Sequence, residues 1–231
     1  MIKDLSIVVT AYNEEGNIHN TLTDITRELN KLRIDYEIIA VDNGSSDRTG
    51  EIIKSFPSKR VKHVRVPLNI GYGNGVLQGM KTANAKFIGY MWGDNEISAK
   101  HLPELYMHLK NGNADLAKIA RTTRWYGLYR KIQSKSYIAL TRMMFGNVSN
   151  DVNGCPKIMR AEHLKKMNLS SEKWFLDTEI MVKAKKLGMR VVEVDAEYKK
   201  RQGGKSNVKM TTALSFMKSL IGFKLKTMRE N

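Results

Sequence analysis

The stretch Tyr36-Glu37-Ile38-Ile39-Ala40-Val41-Asp42-Asn43-Gly44-Ser45-Ser46-Asp47 constrains the fold of this chain more than any other. A nearly continuous apolar run stops at an acid, then turns through Asn-Gly-Ser-Ser into a second acid. An apolar run without alternation suits a strand buried on both faces, as in a parallel sheet covered by helices. Ligands of open α/β sheets gather at the carboxyl ends of such strands. Asp42 is therefore expected at the rim of a crevice, its oxygens open to a base or a sugar. Leu5-Ser6-Ile7-Val8-Val9-Thr10-Ala11 reads as another apolar strand, emptying into Tyr12-Asn13-Glu14-Glu15-Gly16-Asn17. Ile18, Leu22, Ile25, Leu29 and Leu32 then recur at helical spacing. The order is strand, polar loop, helix, strand, which sets two polar loops side by side.

The same logic carries along the chain. Val61–Val66 alternates as a third strand and is closed by Pro67. Asn69-Ile70-Gly71-Tyr72-Gly73-Asn74-Gly75 is a glycine-rich loop before a helix predicted over Val76–Ala83. A G-x-G-x-G run is weak evidence alone, and this one follows the third strand rather than the first, so it is not read as a dinucleotide fingerprint. Lys86–Met91 is a fourth strand ending at Trp92-Gly93-Asp94-Asn95-Glu96. A helix over Leu102–Lys110, a strand over Asp115–Ala120 and a helix with connecting loops across Arg121–Phe145 follow. A helix opening at Trp174-Phe175-Leu176-Asp177-Thr178-Glu179 runs to Lys186 and stops at Gly188, before a strand at Val191–Val194. With 231 residues the chain fits one large domain with a short appendage.

At this point a resemblance becomes specific. VVTAYNEEGNI, followed about thirty residues later by VDNGSSDRT, resembles the nucleotide-sugar half of family 2 glycosyltransferases with the GT-A fold. The likeness is closest to the polyprenyl-phosphate sugar transferases, the group that includes dolichol-phosphate mannose synthase. It implies an α/β fold with a mostly parallel central sheet sandwiched by helices. It also implies an inverting transfer of a sugar from a nucleotide diphosphate to a polyprenyl-phosphate or dolichyl-phosphate lipid. The catalytic domain is expected over residues 1–207 and a basic amphipathic helix over 208–231.

Such a reaction needs a grip on the nucleoside, neutralisation of the departing diphosphate, and an aimed nucleophile. By the resemblance Thr10, Ala11, Tyr12, Glu14 and Asp42 hold base and ribose, while Asn69 and Gly71 shape the loop beneath the nucleotide. The family usually has a second acid where Asn43 stands and Asp-x-Asp where this chain has Trp92-Gly93-Asp94. The resemblance therefore leaves Asp94 as the metal ligand, with Glu96 as the additional one, for Mg2+ or Mn2+. Asp151-Val152-Asn153-Gly154-Cys155-Pro156-Lys157 resembles the family's acceptor loop, in which Asp151 orients the sugar and Lys157 faces a phosphate. Asp177, with Glu179 second, falls where the acid beside the acceptor is found. Arg201-Gln202-Gly203-Gly204-Lys205-Ser206-Asn207 matches a phosphate-binding loop, with Arg201 and Lys205 on phosphate oxygens.

The formal charge of +16 calls for an anionic partner. No RNA-binding or helix-turn-helix signature accompanies it, so no specific nucleic acid is expected. The single cysteine, Cys155, excludes an intrachain disulfide and is expected to be a packing residue. Met1–Asp4 leads directly into a strand rather than a signal peptide. No window approaches the roughly 18–20 apolar residues that span a bilayer. The expectation is a cytoplasmic protein, peripheral on the membrane through residues 208–228, with a homo-oligomer also compatible. Two alternatives stand beside this reading. A saccharide hydroxyl as acceptor would need Asp177 as general base, whereas a lipid phosphate is already anionic. A non-catalytic nucleotide-sugar or nucleic-acid binding module is suggested by Trp92 and the charge.

Overall fold

The computed structural model describes residues 1–123, 128–197 and 219–225, with backbone only at 123 and 128–133. Seven strands form one sheet. They are β1 (Lys3–Ala11), β2 (Tyr36–Asp42), β3 (Val61–Arg65), β4 (Ala85–Trp92), β5 (Leu116–Thr123), β6 (Lys157–Arg160) and β7 (Val191–Glu197). Their spatial order is β3-β2-β1-β4-β6-β5-β7. Every pairing is parallel except those of β6, which runs antiparallel to both β4 and β5. Two reversals cancel, so β5 and β7 point the same way as β1, β2 and β4. The carboxyl ends of all five therefore open on one edge of the sheet.

The helices are α1 (Ile18–Asn30), α2 (Thr49–Lys54), α3 (Tyr72–Thr82), α4 (Leu102–Lys110), α5 (Leu128–Phe145), α6 (Ala161–Met167) and α7 (Leu176–Lys186), with a short 3-10 turn at Ala99–His101. All seven residues of β2 are buried, as a strand covered on both faces requires. On α1 the residues Ile18, Leu22, Ile25 and Leu29 are fully enclosed. Each such side chain contributes about 1.5–3 kcal/mol of burial, which stabilises a helix that is polar elsewhere. The one acid inside β2, Glu37, is satisfied by Ser6 Oγ, the Asn84 amide and the Lys62 ammonium.

Three expectations need correction. The glycine-rich loop is not a loop ahead of a helix: Tyr72–Gly75 is itself the first turn of α3. Lys157 belongs to strand β6 rather than to an acceptor loop. Four residues are too few to show periodicity, and only cross-strand pairing reveals this strand. The strand predicted to end at Ala120 runs on to Thr123, where it pairs with β7 across a bulge. Of the appendage, residues 219–225 are helical. Leu220 is fully buried, Phe223 packs on Phe145 and Phe175, and Lys224 donates to the Met144 carbonyl. Arg201 and Lys205 lie outside the described residues.

Candidate active site

Two strand tips converge on the end of β1. The Asn43 amide donates to the Ala11 carbonyl at 2.9 Å, and the Gly93 amide donates to the Thr10 carbonyl at 2.9 Å. The turn after β2 and the turn after β4, bearing Asp94, thus flank Thr10 and Ala11 from opposite sides. The loops after β1 and β2 are also laced to each other. Asn13 N donates to Ser45 Oγ (3.1 Å), Glu14 N to Thr49 Oγ1 (2.8 Å) and Glu15 N to Asp47 Oδ2 (3.1 Å). In return Ser46 N donates to Asn13 Oδ1 (2.9 Å) and Arg48 N to Glu15 Oε2 (3.1 Å). Each loop supplies the partners that the other's unpaired backbone needs.

Asp42 stands at the predicted strand end, but not at a rim. It is fully enclosed: Oδ1 accepts from the Ser45 amide at 2.9 Å and Oδ2 from Arg65 Nη1 at 3.0 Å. Its carboxylate serves the turn rather than standing open to a nucleoside. Glu14 is buried as well, with Oε2 receiving Asn17 Nδ2. Tyr12 is half-buried at the mouth of the same loop. Asn43 fills the place of the expected second acid, its amide nitrogen directed to the Gly71 carbonyl at 3.1 Å and to Asn69 Oδ1 at 3.4 Å.

Asp94 is half-buried, two residues beyond β4. Its Oδ1 accepts from the Glu96 amide at 3.1 Å, closing a tight turn in which Asn95 takes a left-handed φ of 56°. Glu96 lies in the same turn with its side chain buried. Among the described residues no group of three His, Cys, Asp or Glu side chains could enclose a metal unaided. The donor set fits a hard divalent ion that arrives with phosphate oxygens, since such ions commonly bind one or two carboxylates plus substrate phosphates. Trp92, in the place of the first acid, packs edge-on against Tyr72, which stacks on Trp174 at 5.2 Å. Aromatic surface joins β4, α3 and the entry to α7 where the motif would have put charge.

Gly71 and Gly73 at the start of α3 lie against protein backbone, and Gly75 against the Asn43 side chain. A Cβ at Gly71 would lie 2.4 Å from the Glu172 carbonyl oxygen, and one at Gly73 would lie 2.3 Å from that of Ser171. Asn74 N donates to Glu172 O at 2.7 Å, so this helix start is capped by the segment that leads into α7. That segment is held in turn by Glu179, whose carboxylate accepts from the Ser170 and Ser171 amides.

On the far side of the edge the predicted acids occur as pairs. Asp177 at the start of α7 is buried and ion-paired with the fully enclosed Lys157, and its Oδ1 also accepts from Tyr90 Oη at 2.7 Å. Burial and the neighbouring Asp177 hold the Tyr90 hydroxyl well above its usual range, so it stays a donor. Lys157 therefore does not face a phosphate; its ammonium is committed to Asp177. Asp151 is buried and grips Arg121 through Nη2 (2.7 Å) while also accepting from the Arg121 amide (3.0 Å). Cys155 is fully buried and donates to the Tyr90 carbonyl; burial pushes its thiol up, which suits packing rather than nucleophilic work. Tyr90, Lys118, Arg121, Ser149 and Glu193 were not singled out by sequence. The available signal was Lys118, a lone cation inside the apolar run Leu116–Ala120.

The seven-stranded, mostly parallel sheet with helices on its faces, and the loops after β1, β2 and β4 meeting at one edge, is the architecture of the GT-A class of sugar transferases. The chain belongs to glycosyl transferase family 2, whose family model matches residues 6–168. It is 26% identical over 223 residues to an undecaprenyl-phosphate 4-deoxy-4-formamido-L-arabinose transferase of Pectobacterium atrosepticum, covering 95% of this chain and 67% of the relative. The enzyme of that name from Photorhabdus laumondii is similar to the same extent. Among solved structures, glucosyl-3-phosphoglycerate synthase of Mycobacterium tuberculosis with phosphoglyceric acid superposes with a TM-score of 0.75 at 17% identity, over 97% of this chain and 79% of that one. The same synthase with Mn2+, uridine diphosphate and glucosyl-3-phosphoglycerate gives a TM-score of 0.73. The chain is thus a family 2 glycosyltransferase, and the expected fold class is borne out. No described helix is long and apolar enough to cross a membrane.

Proposed function

We propose that this enzyme transfers a sugar, with inversion, from a nucleotide diphosphate to a polyprenyl-type lipid phosphate at a membrane surface. The observation that carries the choice of acceptor is the state of Asp177. Its carboxylate is enclosed, neutralised by Lys157 and hydrogen-bonded by Tyr90. A carboxylate so committed is a poor general base, and a hydroxyl nucleophile needs one within reach. A phosphate monoester is already an anion and needs no base. The names of the relatives point to the same acceptor.

Thr10, Ala11 and Tyr12 line the donor end of the cleft, while Asp42 and the laced loops keep that end rigid. Asp94 would hold Mg2+ or Mn2+, which when bound neutralises charge on the departing diphosphate. Asp151 orients Arg121, and Asp177 with Lys157 fixes the start of α7 beside the acceptor. Arg201 and Lys205 add phosphate contacts, and the basic residues of 208–231 draw the enzyme to an anionic bilayer.

The test is a panel of nucleotide sugars with Mn2+ and undecaprenyl phosphate, run beside the dephosphorylated polyprenol and soluble saccharides. Nucleoside diphosphate should be released only with the lipid phosphate, and both EDTA and Asp94→Asn should suppress release. Turnover with a saccharide hydroxyl and none with the lipid phosphate would overturn the acceptor assignment.

A further inference from the structure

Four side chains form a continuous polar row across the sheet, one step below the edge that carries the cleft. Tyr90 on β4 is the register partner of Lys157 on β6. Lys157 is the partner of Lys118 on β5, and Lys118 is the partner of Glu193 on β7. Directly paired residues share a face, so two lysines of like charge stand opposite each other and both are fully buried. A sheet core does not tolerate that arrangement without dedicated partners. Lys157 has Asp177. The ammonium of Lys118 donates to the Asp151 carbonyl (2.6 Å) and the Ile119 carbonyl (2.8 Å), and meets Glu193 Oε1 at 3.2 Å. Glu193 in turn accepts from Ser149 Oγ and from the Asn150 amide at 3.1 Å.

The pair therefore holds Ser149, Asn150 and Asp151 from beneath, while the Asp151 carboxylate clamps Arg121 above. We propose that Lys118, with Glu193, is a positioning residue for glycosyl transfer: it sets the height and orientation of the Asp151–Arg121 clamp on the acceptor side of the cleft. This rests on the acceptor reading given above. Lys118 touches no substrate and acts through the backbone of residues 149–151. A group placed about 1 Å out of line costs on the order of a hundredfold in rate. Because removing Lys118 alone also strands the Glu193 carboxylate, the double variant below carries the comparison of turnover.

The experiment compares wild type, Lys118→Met, and the double variant Lys118→Met with Glu193→Leu. Replacing both members of a buried ion pair by apolar groups avoids a stranded charge, and equal circular dichroism and a cooperative melt establish that the double variant is folded before rates are compared. Both variants should lose about 10- to 100-fold in kcat/KM for the lipid phosphate. The KM for the nucleotide sugar should stay within about twofold, because the donor end lies across the sheet. Hydrogen exchange should show faster amide exchange at Asn150 and Asp151 in both. A double variant with wild-type turnover would reduce the pair to a stability element and overturn the proposal. Unchanged protection at Asn150 and Asp151 would overturn it too, and that arm needs no substrate. If wild type itself fails to use the lipid phosphate, the acceptor reading falls while the exchange result still decides the positioning claim.

Discussion

Gly73→Ala is the sharpest probe of how the two sides of the cleft are joined. The new methyl would stand 2.3 Å from Ser171 O, 2.7 Å from Lys173 O and 2.8 Å from the Glu172 carbonyl carbon. All three are backbone atoms, and no rotamer change relieves them. Ordinary contact requires a shift of about 1 Å in a segment that Glu179 holds through the Ser170 and Ser171 amides. Overpacking of this kind costs about 1–3 kcal/mol. Loss of the Asn74–Glu172 bond adds about 1 kcal/mol. Alanine's better helix propensity returns up to about 1 kcal/mol. The net loss is about 1–3 kcal/mol, or roughly 2–12 °C in Tm for a chain of this size. Thermal denaturation followed by circular dichroism measures it. Gly16→Ala is the control, since nothing lies within 4 Å of its Cβ position, and it should be neutral or slightly stabilising. Equal Tm values for the two variants would show that α3 and the 171–173 segment are not in fixed contact, and the reasoning would fail.

Two further perturbations test the electrostatics. The Arg190 side chain and amide hold the Asp115 carboxyl down at about 2, below its ordinary 3.8. A depressed acid stabilises the fold above its unfolded pKa and loses that contribution as pH falls through the folded one. The Tm gap between wild type and Asp115→Asn should therefore be steady above about pH 5, narrow below 3.8 and close near 2. A gap unchanged at the acid end would refute the pairing. Arg65→Met leaves the enclosed Asp42 without its cation. Since Arg65 is 59% exposed, the expected loss is about 1 kcal/mol, measured by urea denaturation. No loss would mean that the Ser45 amide alone sustains the buried carboxylate.

The donor half of the molecule was legible in the sequence because its signals are local. A nearly continuous apolar run over Tyr36–Val41 and a helical stripe from Ile18 to Leu29 need no tertiary context. The acceptor half was harder. Strand β6 is four residues long and exists through its two neighbours, so Lys157 read as a loop cation reaching for phosphate. Asp42 was placed correctly along the chain but given the wrong exposure. A carboxylate at a strand end looks the same in sequence whether it meets a ligand or an arginine such as Arg65. The cross-sheet row at Tyr90, Lys157, Lys118 and Glu193 depends on registers between strands far apart in sequence, and no spacing rule exposes it.

The single reversed strand has a consequence for how such a molecule changes over time. Strand β5 ends with Thr123 at the carboxyl edge of the sheet and β6 begins with Lys157 at the same edge, so the stretch between them is one excursion of the chain. No strand pairing of the described residues falls inside that excursion, yet Ser149, Asp151 and Cys155 within it are tied to Glu193, Arg121 and Tyr90, so its length can vary only away from them. A change of length there would leave β1, β2 and β4, and the loops at their ends, as they stand.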